Sequence, residues 1–333
     1  MNHYLSLCCI IKDEDNLEDF IIYYYILGVT KFYIYDNHSK WPIKDRLNSF
    51  FYKRYCVIID FPGKAQQMNA YNHCLNNYGH LTKWLIIVDG DEYILPKTTF
   101  TLTELLKNHE DKHAIGINWV FFGTSFHNNK QHGHLPEAYR YSSRNQDDHI
   151  KVIVQPQHTI SVNNPHFAIL KDNSKFRDIK NNIITRQAFN SNYTIDVIQI
   201  NHYTHKSLEE SINKHYRGNA DSVDCRRSIP DAGLHHFANE LKDECLCNKY
   251  LNLMRRISYM TATNWGIYKA LNRDVVLKNE TEYNNHILDH GINENRPFHL
   301  HERFPNFNRA EYRAMNPQLD DVALEIHYIN SHS

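Results

Sequence analysis

Residues 84–96 read WLIIVDGDEYILP, five apolar residues running straight into three carboxylates within four positions. An unbroken apolar run of this length is a strand buried on both faces. Asp89, Asp91 and Glu92 then stand where that strand leaves the sheet, and in open α/β sheets the carboxyl ends of strands line the ligand crevice. Acids this close repel one another unless a cation neutralises them, and oxygen donors suit Mg2+ or Mn2+. Gly90 between them permits close approach of backbone or ligand. An Asp-Gly pair is ordinarily a solvated turn. The apolar residues Tyr93, Ile94 and Leu95 on the far side favour a loop that faces a metal.

Upstream, strand and helix signals alternate. Strands are expected over residues 4–11, 31–35 and 55–60, and helices over 17–27 and 45–53, the first with Asn16 as N-cap and Gly28 at C′. A further helix is expected from about Lys64, where Met68, Tyr71, Leu75 and Tyr78 recur at helical spacing. Repeated βα units with right-handed crossovers predict an α/β fold built on a Rossmann-like, mostly parallel sheet flanked by helices. Three of its strand ends are polar: Lys12-Asp13-Glu14, Asp36-Asn37 and Asp89-Gly90-Asp91. They converge on one crevice. The sequence has neither GxGxxG nor GxxxxGK[ST]. A nucleotide is then held by acids on its ribose and a metal on its diphosphate, which points to a sugar-nucleotide.

With 37 basic and 38 acidic residues in 333, the near-zero net charge offers nothing to a nucleic-acid backbone or an anionic membrane. No run of 18 apolar residues occurs, so no membrane span is expected. The first residues, MNHYLSLCCIIKDED, have no basic n-region and do not read as a signal peptide. Seven scattered cysteines fit a reducing compartment, and a cytoplasmic location is expected.

The segments IIKDEDNLEDFIIYYYILGVTKFYIYDNHS, QQMNAYNHCL and KWLIIVDGDEYILP resemble the nucleotide-binding half of GT-A glycosyltransferases of family 92 and the related family-2-like type. NWVFFGTS, KVIVQP and INHYTHKSLEESINKHYRG resemble the acceptor-side and C-terminal signatures of the same family, so the resemblance runs over residues 7–218. It implies that Asp89 and Asp91 are the DxD pair on Mn2+ or Mg2+, with Asp91 also catalytic. His202 completes the metal shell and Lys206 reaches the diphosphate. Lys12, Glu14, Asp36, Asn37 and Lys64 line the base and ribose. The activity implied is metal-dependent transfer of a hexose from a UDP-sugar to a glycan or glycoconjugate hydroxyl, with inversion.

Inversion needs a general base. Glu137, in HLPEAYRY, is the candidate, and Asp147 and Asp148 compete with it. Against these roles stand plainer ones: His202 as one of 23 histidines, Lys206 as the start of a solvated helix, Asp36-Asn37 as turn chemistry, and Trp119, Phe121 and Phe122 as core aromatics. A catalytic domain is expected over residues 1–218 and a helical region near the acceptor site over 219–333. His286, His290, His299 and His301 are too irregularly spaced for a second metal. A nucleotidyltransferase or sugar-nucleotide pyrophosphorylase is the enzymatic alternative. Its Gly-rich basic loop after the first strand is replaced here by Lys12-Asp13-Glu14-Asp15. A non-catalytic glycan-binding protein on the same fold is the other alternative.

Overall fold

The last seven residues of β1 (His3–Ile11) are buried, and a strand without a polar face belongs in the middle of a sheet covered on both sides. The computed structural model, which describes residues 2–217 and 229–332, puts it there. Along the chain β1 is followed by α1 (Leu17–Ile26), β2 (Lys31–Asp36), α2 (Ile43–Arg46), α3 (Phe50–Tyr55), β3 (Cys56–Asp60), α4 (Gln67–Tyr78), β4 (Thr82–Ile87) and β5 (Glu92–Pro96). Then come α5 (Leu102–Lys107), β6 (Ala114–Phe121), α6 (Leu135–Ala138), β7 (Tyr141–Ser142), β8 (Ile150–Val154), β9 (Thr159–Asn164), β10 (Phe167–Leu170), β11 (Phe176–Arg177), β12 (Ile198–His202) and α7 (Leu208–Arg217). The expected helix over 45–53 is two short ones, because Asn48 and Ser49 favour a turn over helix continuation.

The main sheet runs β3-β2-β1-β4-β8-β6-β12-β5, with β11 beside β6. β1, β2, β3 and β4 pair in parallel, as do β6 and β12. β8 enters antiparallel between β4 and β6, and β5 is antiparallel to β12. The sheet is therefore mainly parallel, as the βα alternation predicts.

Each face has its own cover. α4 lays Ala70, Tyr71 and Cys74 on Cys8, Ile10, Tyr35 and Leu85, each large apolar side chain contributing roughly 1.5–3 kcal/mol on burial. On α1, Tyr23 Oη donates to the Ile94 carbonyl at 2.6 Å, while Tyr24 Oη donates to the Glu92 carbonyl at 2.8 Å and accepts from Ile94 N at 3.1 Å. Those hydroxyls pin β5 directly behind the acidic loop. Gly28 ends α1 at φ +98°, the left-handed geometry of a C′ glycine.

The chain divides into two compact units, one of Met1–Leu47 with Tyr55–Leu251 and the other of Asn48–Arg54 with Asn252–Ser333. The boundary expected at 218/219 lies outside the described residues, as does Cys225. The six described cysteines are free thiols. The second unit is helical around a core of Leu271, Leu300, Phe307, Leu324 and Ile329. Its expected helices fall within Cys245–Ala262 and Trp265–Leu271. Among the described residues, His286, His290, His299 and His301 form no metal-capable group. No helix among them is long and apolar enough to cross a membrane.

Candidate functional site

β4 ends at Ile87 and the chain turns out of the sheet through Asp89, Gly90 and Asp91 before β5 begins at Glu92. A Cβ on Gly90 would lie 2.6 Å from Ile11 Cδ1, so a larger residue here would have to push the Ile11 side chain aside for the loop to rest on the end of β1. Asp89 Oδ1 accepts from Gln67 Nε2 at 2.7 Å and Tyr71 Oη at 3.0 Å. Its Oδ2 accepts from Lys151 Nζ at 2.8 Å. The Lys151 side chain is 1% exposed and lies 3.6 Å from Glu92 Oε2 as well, which in turn accepts from Asp89 N at 2.8 Å. Burial pushes the Asp89 carboxyl up, but the Lys151 ammonium outweighs it and holds the group below the usual range. Glu92, fully buried, goes the other way, because burial there exceeds the pull of Lys151. Its Oε1 has no hydrogen-bond partner among the described residues.

Asp91 faces a second cation. Its Oδ2 accepts from Lys214 Nζ, on α7, at 2.6 Å, and Lys214 also donates to the Thr204 carbonyl at 3.0 Å. Burial raises the Asp91 carboxyl and Lys214 and His202 more than reverse it, leaving it far below the usual carboxylate range. His202 reaches Asp91 because β12 pairs with β5 so that His202 sits opposite Glu92. Its Nε2 is 3.6 Å from Asp91 Oδ1. Burial lowers the imidazole to about 4, so the ring is neutral near pH 7. Its Nδ1 has no partner among the described residues. Trp119 and Phe121 flank it, with ring centroids 4.3 and 5.3 Å away.

Lys206 follows four residues after His202 with φ +56°, a left-handed conformation that costs a non-glycine residue free energy. Its Nζ bonds Glu14 Oε1, and donates to Asn16 Oδ1 at 3.1 Å. Asn16 stands at the N-cap position of α1, yet its side chain makes no cap bond. The oxygen serves Lys206 instead, and Arg217 donates to the Asp13 carbonyl at 2.8 Å beside it. The β1–α1 turn is thus bound both to the chain just before α7 and to the last residue of α7.

The remaining expected residues divide. Asp36 spends both carboxylate oxygens on Ser39 N and Ile43 N, at 2.9 and 3.0 Å. Asn37 donates to the Phe61 and Gly63 carbonyls, each at 2.9 Å. Both shape the crevice wall through turn chemistry. Lys12 and Lys64 are exposed. Glu137 rides on α6, which is docked to α1 where His134 Nδ1 and Leu135 N meet Asp19 at 2.8 and 2.9 Å. Asp147 and Asp148 precede β8, next to His149, and these three are the described residues whose donor atoms gather within metal-binding reach of one another. Phe122 is core, packed on Tyr203 at 4.8 Å.

Lys151, Lys214, Gln67 and Tyr71 went unread in the sequence. A lone lysine inside the apolar strand IKVIV was the available signal for the first, since a buried charge there requires a partner. Gln67 and Tyr71 are spaced i, i+4 on one face of α4. No local pattern marks Lys214.

The family model for glycosyltransferase family 92 matches residues 4–227. A glycosyltransferase family 92 protein of Oryza sativa subsp. japonica is 29% identical over 116 residues, covering 34% of this chain and 20% of that protein. Another, from Ricinus communis, is 23% identical over 225 residues, covering 65% of this chain and 38% of that protein. The chain therefore spans only a fifth to two-fifths of the length of these curated relatives. Among solved structures, HddC from Yersinia pseudotuberculosis aligns over 51% of this chain and 84% of its own at 11% identity, with a TM-score of 0.33. By the match over residues 4–227, this chain belongs to glycosyltransferase family 92.

Proposed function

We propose that the protein is a glycosyltransferase that moves a hexose from a UDP-sugar to a hydroxyl of a glycan or glycoconjugate, with Mn2+ or Mg2+ and with inversion at the anomeric carbon. The observation that carries this reading is the meeting of Asp91, His202, Lys206 and Lys214 at the carboxyl ends of β1, β4 and β12.

We assign the ion to Asp89, Asp91 and His202, whose donor atoms must draw together around it, since in the arrangement described they do not lie within metal-binding reach of one another. Asp91 offers oxygen, Asp89 Oδ2 has a lone pair beyond its bond to Lys151, and His202 is an uncharged imidazole. Hard oxygens with one nitrogen suit Mn2+ or Mg2+. When bound, such an ion neutralises charge on the leaving diphosphate. The chain supplies the rest. Lys206, on Glu14 and Asn16, and Lys214, on Asp91, are the ammonium groups we assign to the diphosphate, where a buried charge counts for more than in water. Lys151 keeps Asp89 ionised and fixed in orientation. Asp36 and Asn37 hold the wall against which the nucleotide lies, and exposed Lys12 and Lys64 stand at its rim. A nucleotidyltransferase reading lacks support in the β1–α1 turn, where Glu14 and Asp15 occupy the place of a basic phosphate loop.

Calorimetry with UDP in the presence and absence of Mn2+, together with hydrolysis of a panel of UDP- and GDP-sugars, tests the reading. UDP should bind at least about tenfold more tightly with Mn2+, and a UDP-sugar should turn over. Absence of UDP binding in both conditions overturns it. Release of pyrophosphate from UTP and a sugar 1-phosphate would favour the nucleotidyltransferase instead.

A further inference from the structure

Beyond His202 the ring contacts continue. Trp119 of β6 lies between His202, at 4.3 Å, and His149, on which it stacks at 5.3 Å and 18°. Phe189 packs against His149 at 4.6 Å and 60°. The imidazole is also held in plane by Asp147, whose Oδ1 accepts from both His149 Nδ1 and His149 N, each at 2.8 Å. A carboxylate acceptor requires the proton on Nδ1. The lone pair then sits on Nε2, which has no hydrogen-bond partner among the described residues, on a side chain 38% exposed. Asp148 Oδ2 lies 3.5 Å from Arg186 Nη1, and Arg186 in turn covers Phe189. Asp147 Oδ1, already accepting two N–H bonds, is better read as a partner of the imidazole than as a metal ligand. Trp119 Nε1, in the same stack, is buried and has no hydrogen-bond partner among the described residues.

We infer that His149 is the general base that receives the acceptor's proton, with Asp147 as its positioning residue. The inference rests on the transfer reading above and deepens it. The acceptor oxygen forms the new bond to the anomeric carbon while its proton passes to His149 Nε2. The bond from that carbon to the diphosphate oxygen breaks, and its electron pair leaves with the UDP. Trp119 lies in ring contact with both this base and His202. A carboxylate behind an imidazole fixes its tautomer and stabilises the imidazolium that forms.

The test measures UDP-sugar turnover, with water and with a panel of methyl glycosides as acceptors, alongside UDP calorimetry on the same samples. His149→Gln should lose about a hundredfold or more in turnover, with UDP affinity held within about twofold. Asp147→Asn should lower kcat at unchanged donor KM, and Asp147→Glu should recover part of the loss. That split and rescue decide the matter even where His149→Gln is insoluble. Turnover of His149→Gln within about fivefold of wild type, or a loss confined to Glu137→Gln, overturns the inference while leaving the transfer reading intact. A wild-type protein that neither binds UDP nor turns over any UDP-sugar overturns the transfer reading, and the dyad with it.

Discussion

Around Asp89 and Glu92 the balance of charge rests on one buried ammonium. Lys151→Met leaves the Asp89 carboxylate without its cation in a water-poor place, and removing one partner of a buried pair costs about 3–5 kcal/mol. Urea denaturation at pH 7 should show a loss of that order, smaller near pH 4 where that carboxylate takes up a proton. An equal loss at both pH values would separate Lys151 from Asp89 energetically. Asp91 differs, since its partner Lys214 is 31% exposed and water can take over the ammonium. Asp91→Ala and Asp91→Asn should therefore fold, with a midpoint close to wild type, yet lose UDP-sugar turnover even at saturating Mn2+. The amide keeps the shape but lacks the charge. His166 makes a pH prediction. Burial and nearby Lys151 lower its imidazole from 6.5 to about 4, while Nδ1 bonds the Ile150 carbonyl at 2.8 Å. Between those values the unfolded chain binds more protons, so stability falls as pH drops from 6.5 towards 4. The contribution is at most roughly 3 kcal/mol, and denaturation midpoints across that window should flatten in His166→Gln. The sequence marked Asp89, Asp91, His202 and Lys206 by type and place. What each touches was not legible, and Asn16 shows why. A good capping residue at a capping position gives its oxygen to Lys206, a residue that arrives from far along the chain.

At the scale of elements, the acidic loop is held by its neighbours rather than by its own turn. The Tyr24 hydroxyl serves both a donor and an acceptor of β5. Tyr24→Phe removes both bonds and leaves buried backbone groups unpaired, at a cost of about 1–3 kcal/mol. The same change should raise the Mn2+ concentration needed for turnover, because β5 carries Glu92 and fixes where Asp91 begins its approach to His202. Unaltered metal dependence in a destabilised variant would confine the hydroxyl to a structural role. Strand existence was readable from apolar runs, because burial on both faces leaves no polar alternation. Less readable was the entry of β8, antiparallel, between β4 and β6. Strand partners are chosen by long-range packing, and nothing within five residues specifies which neighbour a strand takes.

Across the whole molecule, the stretch after the undescribed residues matters to the first unit itself. Gly123 N donates to the Ala238 carbonyl at 2.9 Å and Ser125 N to Asn239 Oδ1 at 2.8 Å. Leu241 and Lys242 pair with β7, Arg140 meets Glu244 at 2.7 Å, and Tyr250 Oη donates to the Phe100 carbonyl at 2.6 Å. A chain cut after Asp224 loses all of these and exposes the apolar faces they cover. It should be insoluble or denature at clearly lower urea. A soluble product with wild-type stability and UDP binding would instead make residues 1–218 a domain in its own right. The sequence by itself determined the alternation of elements, the sheet class and the arrival of acids at a strand end, because burial and periodicity act over a few neighbouring residues. Only the tertiary structure decided which cation each acid meets. Lys151 and Asp89 are 62 positions apart, and Lys214 and Asp91 are 123 apart. Such pairs depend on strand order and register, which the chain settles only when its whole core is assembled.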